Sequence, residues 1–116
     1  MYTLYGIPNC DSVKKARTWL DKNKIGYAFH DYKKEGISKA KLRSWCQQLG
    51  WENVMNKNST TWKELPEAEQ QAVTNQASAI DVMAQHNSMI KRPLIEEGDK
   101  VVAVRFNEEV YEKTFL

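Results

Sequence analysis

The sequence predicts one α/β domain on a mixed four-stranded sheet, in the order β-α-β, a helical insertion, then β-β-α. Three observations predict it. The opening alternates short aromatic, β-favouring runs with one amphipathic helix within about 30 residues, a βαβ unit that expects parallel strands. The middle of the chain keeps helical periodicity. The end returns to β-favouring runs around a Gly-Asp turn and closes with one more helix.

In chain order, Tyr2–Tyr5 is β-favouring, and Gly6-Ile7-Pro8-Asn9 stops it. From Asp11 the spacing becomes helical: Val13, Ala16 and Leu20 fall at i, i+3 and i+7, with Trp19 alongside. Tyr27–Tyr32 is extended again, Tyr27 and Phe29 sharing a face. An insertion over about residues 36–88 follows. In it Ser38 caps a helix whose Leu42, Trp45, Cys46 and Leu49 form one apolar stripe, ended by Gly50. Pro66 suits the first turn of another helix, with Glu67 and Glu69 at its positive end. Ser78 and Asp81 resemble a capping box ahead of Ile80, Met83 and Ala84. Pro93-Leu94-Ile95, the turn Glu97-Gly98-Asp99 and Val101–Val104 read as an antiparallel hairpin. Asn107 caps a last helix carrying Val110, Tyr111 and Phe115. Without its middle, this is the thioredoxin (glutaredoxin-like) skeleton.

At 116 residues the chain is most simply a single domain, 1–116. One core can bury roughly two thirds of the unfolded surface of a chain this size. With 41% hydrophobic and 28% charged residues and a formal charge of +2, the composition is that of an ordinary globular protein and gives no case for nucleic acid. No apolar stretch approaches the roughly 18 residues that span a bilayer. Met1–Tyr5 runs into Gly6 and Pro8 rather than into a signal peptide's long apolar segment. A cytoplasmic protein with no membrane or nucleic-acid partner is therefore expected. It should be a monomer, since no heptad or long apolar stretch is evident. The tryptophans read plainly as packing.

The two cysteines, Cys10 and Cys46, are too few for a disulfide framework and lack metal-ligand spacing, so no metal is expected. Cys10 follows a strand and a Pro-containing loop and precedes the first helix. There a thiol meets unpaired helix N–H groups and the positive end of the macrodipole, both of which favour the thiolate. Lys14, one turn on, and Lys15 add positive potential. Cys46 lies within an apolar stripe and reads as core. Position 13 is Val13, so the second thiol of a C-x-x-C motif is missing, and a mixed disulfide on Cys10 must be resolved by an outside thiol or by Cys46. Arg92 and Arg105 are suited to carboxylates and oxyanions.

The segments Tyr5-Gly6-Ile7-Pro8-Asn9-Cys10, Lys14-Lys15-Ala16, Asn58-Ser59-Thr60-Thr61-Trp62 and Lys91-Arg92-Pro93-Leu94-Ile95 resemble, in their order, the ArsC/Spx family of arsenate-reductase-like proteins, and within it the YffB-like branch. The resemblance covers essentially the whole chain. It implies a thioredoxin-like fold with a helical insertion, Cys10 as nucleophile and Pro93 as a cis-proline.

Three activities of that family then compete. Glutathione-coupled arsenate reductases hold the oxyanion with three arginines. Arg92 matches one and Arg105 another, but Asn56 (or Lys57) stands where the first would fall. Spx-type regulators bind RNA polymerase and sense oxidation through C-x-x-C, which Val13 removes. The third activity, a glutathione-dependent thiol-disulfide reductase, gives a coherent assignment. Cys10 and Arg92 are the catalytic residues. Asn9, Lys14, Lys15, Arg92, Pro93 and Arg105 bind glutathione and substrate. No cofactor is tightly bound; glutathione is a co-substrate, and the partner is an oxidised protein or small thiol. A non-enzymatic adaptor is the remaining class, binding through the basic residues Lys33, Lys34, Lys39, Lys41 and Arg43.

Overall fold

The computed structural model describes residues 1–116. Strands β1 (Tyr2–Gly6), β2 (Tyr27–Asp31), β3 (Leu94–Glu97) and β4 (Lys100–Val104) form one sheet of order β2-β1-β3-β4. β1 and β2 are parallel, as a strand–helix–strand crossover requires. β3 runs antiparallel to both β1 and β4. This is the mixed, thioredoxin-like sheet that the sequence predicts.

Two compact units can be described separately. The first comprises residues 1–35 and 92–116 and contains the whole sheet. Its register puts Leu4, Phe29, Ile95 and Ala103 in line on one face. Against that face lie α1 (Asp11–Lys22), through Val13, Ala16, Trp19 and Leu20, and α8 (Glu108–Phe115), through Tyr111. Edge-on ring packing fixes the two helices to each other: Trp19 and Tyr111 centroids are 5.4 Å apart at 77°. Arg17 secures α1 to β2, its guanidinium 4.1 Å from the Phe29 ring and its Nε donating to Tyr27 Oη.

The opposite face carries Tyr5, Leu94 and Glu96, all buried. Tyr5 Oη donates to the Glu96 carboxylate at 2.7 Å, which satisfies a carboxylate only 1% exposed. Burial and the Glu96 bond together push the Tyr5 phenol well above its ordinary pKa.

The second unit, residues 36–91, is helical: α3 (Lys39–Leu49), α4 (Trp51–Val54), α5 (Thr60–Glu64), α6 (Glu67–Gln71) and α7 (Gln76–Gln85), then a 3₁₀ turn over Asn87–Met89. Leu42, Trp45 and Cys46 of α3 and Ala79, Ile80 and Met83 of α7 are buried. Ser38 caps α3 through the Lys41 N–H, and Gly50 ends it at φ +88, a conformation that favours glycine.

Four local expectations need correction. β2 ends at Asp31, and Tyr32 begins a short helix, α2 (Tyr32–Glu35), because Asp31 Oδ1 accepts the Lys33 N–H and caps that turn. Pro66 is the cap of α6 rather than its first helical residue. The capping box of α7 pairs Asn75 with Ser78, not Ser78 with Asp81. Asn75 Oδ1 takes the Ser78 N–H while Ser78 Oγ takes the Asn75 N–H, and Asp81 pairs with Lys39 Nζ at 3.0 Å. β3 begins at Leu94, past Pro93, which has no N–H to give a ladder. No helix is long and apolar enough to cross a membrane.

Candidate active site

The strand register gathers the site at one end of the sheet. Gly6 pairs with Asp31, Tyr5 with Leu94 and Leu94 with Val104, so four chain segments emerge there together. β1 leaves into the loop Ile7–Cys10, β2 into α2 and β4 into Arg105, while β3 is entered through Arg92–Pro93. Residues separated by some eighty positions in sequence become neighbours through strand pairing alone.

Cys10 is the N-cap of α1, in extended conformation at φ −90° and ψ 128°. Its N–H donates to Ile7 O at 3.2 Å and its carbonyl accepts the Lys14 N–H at 3.0 Å, so the backbone on both sides of the thiol is held. The side chain makes no capping bond and is partly exposed. Cys10 therefore directly precedes the first-turn N–H groups of α1, which have no intrahelical partner. Asn9 is exposed next to it.

Cys46 is the opposite kind of cysteine: 2% exposed on α3, with burial pushing its thiol up to about 11. An inert core thiol is what its apolar stripe predicts.

The Arg92–Pro93 bond is cis. Pro93 is buried and its carbonyl accepts the Arg105 N–H at 2.6 Å. Arg92 is half-buried with Nε inside the protein, close enough to Tyr32 that its charge opposes the rise in that phenol's pKa. Burial dominates all the same, and Tyr32 stays protonated far above the ordinary tyrosine range. Tyr32 also stacks on Tyr5, centroids 6.3 Å apart. Arg105 adopts φ +63, a left-handed conformation rare for arginine, and its carbonyl accepts Tyr111 Oη at 3.1 Å. Pro93 and Tyr111 thus clamp the Arg105 backbone from both sides while its side chain remains exposed.

Lys14 and Lys15 lie exposed on α1. With Thr18, Trp19, Lys22, Phe106 and Glu108 they line an open cleft of about 360 Å³. No cluster of three His, Cys, Asp or Glu side chains could hold a metal ion. All the residues expected at the site thus belong to the unit that contains the sheet. Four that matter there were not singled out from sequence: Gly6, Tyr5, Tyr32 and Glu96. Their roles depend on strand register and burial, which leave no local signal; only the Tyr5-Gly6 pair stood within a segment quoted above.

Comparison with known proteins agrees with this geometry. The ArsC family model matches residues 5–114. A solved structure of a YffB protein is 46% identical, covers 100% of both chains and superposes with a TM-score of 0.94. The solution structure of an arsenate reductase (ArsC) related protein from Brucella melitensis is 43% identical over 98% of this chain and 93% of its own, with a TM-score of 0.77. The global transcriptional regulator Spx of Streptococcus pyogenes is 29% identical over 94% of this chain and 81% of its own.

Proposed function

The chain belongs to the ArsC family, and on that premise we propose that it is a glutathione-dependent thiol-disulfide reductase working through Cys10 alone. One observation supports this above the others. The single partly exposed thiol belongs to the N-cap residue of α1, at the sheet end that also carries Arg92, Pro93 and Arg105, while the position of a second C-x-x-C thiol is filled by a fully buried Val13.

The chemistry is two thiol–disulfide exchanges. Cys10 thiolate attacks the glutathione sulfur of a mixed disulfide, forming Cys10–S–S–glutathione and releasing the substrate as a thiolate that takes up a proton. A second glutathione thiolate attacks the glutathione sulfur of that intermediate. Oxidised glutathione leaves and Cys10 thiolate is restored. The incoming glutathione thiolate thereby supplies the electron pair with which the substrate sulfur leaves, and the two glutathione sulfurs depart joined as oxidised glutathione.

Each neighbour has a part in these steps. Backbone groups beside Pro93 hold the glutathione chain extended, in the manner of strand addition. Arg92 and Arg105 meet its carboxylates with guanidinium forks. Asn9 and Lys14 or Lys15 steady charge near the sulfur. The arginine set for an arsenate oxyanion is short by one, Asn56 (or Lys57) standing where its first member would fall, which favours disulfides over arsenate as substrates.

Turnover of a glutathionylated substrate by three variants tests the proposal. Cys10→Ser abolishes transfer, Cys46→Ala retains it, and Arg92→Ala raises the KM for glutathione. Full activity in Cys10→Ser would refute it.

A further inference from the structure

The cleft along α1 starts at Lys14 and Lys15, which the exchange chemistry uses, and continues past them to Trp19, Lys22, Phe106 and Glu108. Its floor is Trp19 and Phe106, each packed edge-on against Tyr111 and so rigidly placed. Lys14, Lys15 and Lys22 line it, and none of the three is engaged in an ion pair. The one carboxylate on the lining is Glu108, in the first turn of α8, where the helix dipole already favours a negative charge. The two acids of α1 itself, Asp11 and Asp21, do not line the cleft. An apolar floor under three unpaired cations calls for an anionic occupant with an apolar part.

Helix geometry says how such an occupant relates to the thiol. At about 1.5 Å rise per residue, Lys14 is ~6 Å and Lys22 ~18 Å along the axis from Cys10. An extended chain covers that distance in ~5 residues. Along the helix axis the cleft's lysines are thus within the span of an extended peptide whose cysteine meets Cys10, and Lys22 is past the span of a tripeptide.

We propose that this cleft is the docking subsite for the protein substrate, and that it selects a segment in which acidic side chains flank one apolar side chain within a few residues of the cysteine being reduced. The assignment rests on the reductase reading for its purpose, but not for the binding itself. Trp19 and Phe106 receive the apolar side chain, and Lys14, Lys15 and Lys22 receive the acids.

The test separates the two claims. Full-length Cys10→Ser is titrated with a ten-residue peptide containing Glu-Asp-Leu-Glu beside a blocked cysteine, and with the same peptide carrying Gln and Asn for the acids. In parallel, wild type and Lys22→Glu are assayed for transfer on glutathionylated cysteamine, which is too small to reach Lys22. The acidic peptide should bind at least fivefold more tightly than its neutral twin and lose that margin in high salt, a screening effect expected when about two or three charges pair at a surface. Lys22→Glu should weaken the acidic peptide by about fivefold and leave cysteamine transfer unchanged, and Lys22→Arg should restore binding. Equal binding of the two peptides, indifference to Lys22→Glu, or displacement of the peptide by millimolar glutathione would each overturn the subsite. Preferential binding of the acidic peptide without any cysteamine transfer by wild type would uphold the subsite and overturn the reductase.

Discussion

Gly6 and Val13 are in contact with no room between them: a Cβ on Gly6 would lie 2.7 Å from Val13 Cγ2. Gly6 ends β1 and Val13 is in the first turn of α1, so this contact sets how tightly the loop carrying Cys10 folds back on the sheet. Gly6→Ala is predicted to cost about 1–3 kcal/mol through overpacking, since a β-branched, fully buried side chain has little freedom to turn away. In the double variant Gly6→Ala/Val13→Ala, coupling should recover about 1 kcal/mol of the summed losses, measured by urea unfolding of the four proteins. Strict additivity would mean that the contact is not strained by the added methyl.

Arg105 separates a backbone role from a side-chain role. Its φ of +63 is one that glycine adopts freely, and its two clamping bonds come from main-chain atoms. The left-handed conformation costs an L-residue about 1–2 kcal/mol, against which glycine's extra freedom in the unfolded chain sets roughly 0.5–1 kcal/mol. Arg105→Gly should therefore unfold at the same urea concentration or slightly higher while its KM for a glutathionylated substrate rises. A clear loss of stability would show that the guanidinium itself supports the fold.

Alkaline pH should weaken the fold along a predictable course. Tyr5, Tyr32 and Tyr111 all have pKa values raised, first by burial, so the folded protein keeps protons that the unfolded chain releases above about pH 10. The stability they contribute is complete below pH 10 and is lost as pH climbs towards their folded values, at about 1.4 kcal/mol per unit for each phenol. Cys46, raised to about 11, acts the same way over a lower window, between roughly pH 9 and 11. Urea unfolding at pH 7, 9, 10 and 11 should show Cys46→Ala losing less stability than wild type between pH 9 and 10. Parallel curves for the two proteins would contradict the burial assigned to that thiol.

How much of this was legible in the sequence depended on whether the signal was local. Val13, Ala16 and Leu20 spell out α1 by spacing, and Ser38 and Asn107 cap their helices through bonds spanning three residues. Gly98 marks the hairpin by the positive φ it adopts. Sequence alone misplaces the α7 cap because Ser78-x-x-Asp81 fits the same pattern as Asn75-x-x-Ser78, and only the backbone decides: Asn75 is fully extended at φ −153° and ψ 179° while Ser78 is inside the helix. The thiol's place before a helix could be read directly. The junction of Arg92, Pro93 and Arg105 with β1, and the buried Tyr5–Glu96 pair, could not, because strand register creates them from distant segments.

The α7 cap gives a small, clean prediction of its own. Asn75→Ala should cost about 1 kcal/mol, whereas Asp81→Ala removes only an exposed pair with Lys39 and should cost less than half of that. Thermal unfolding of the two variants ranks them, and the reverse order would restore the Ser78–Asp81 box.

The most direct test of the whole account is mass spectrometry of the protein after brief exposure to a glutathionylated peptide, with proteolytic mapping of both cysteines. The account predicts one glutathionyl group, on Cys10 alone, which added glutathione removes as oxidised glutathione. Wild type and Cys46→Ala should behave alike, and Cys10→Ser should stay unmodified. A group found on Cys46, or a Cys10 that never takes one up, would contradict it.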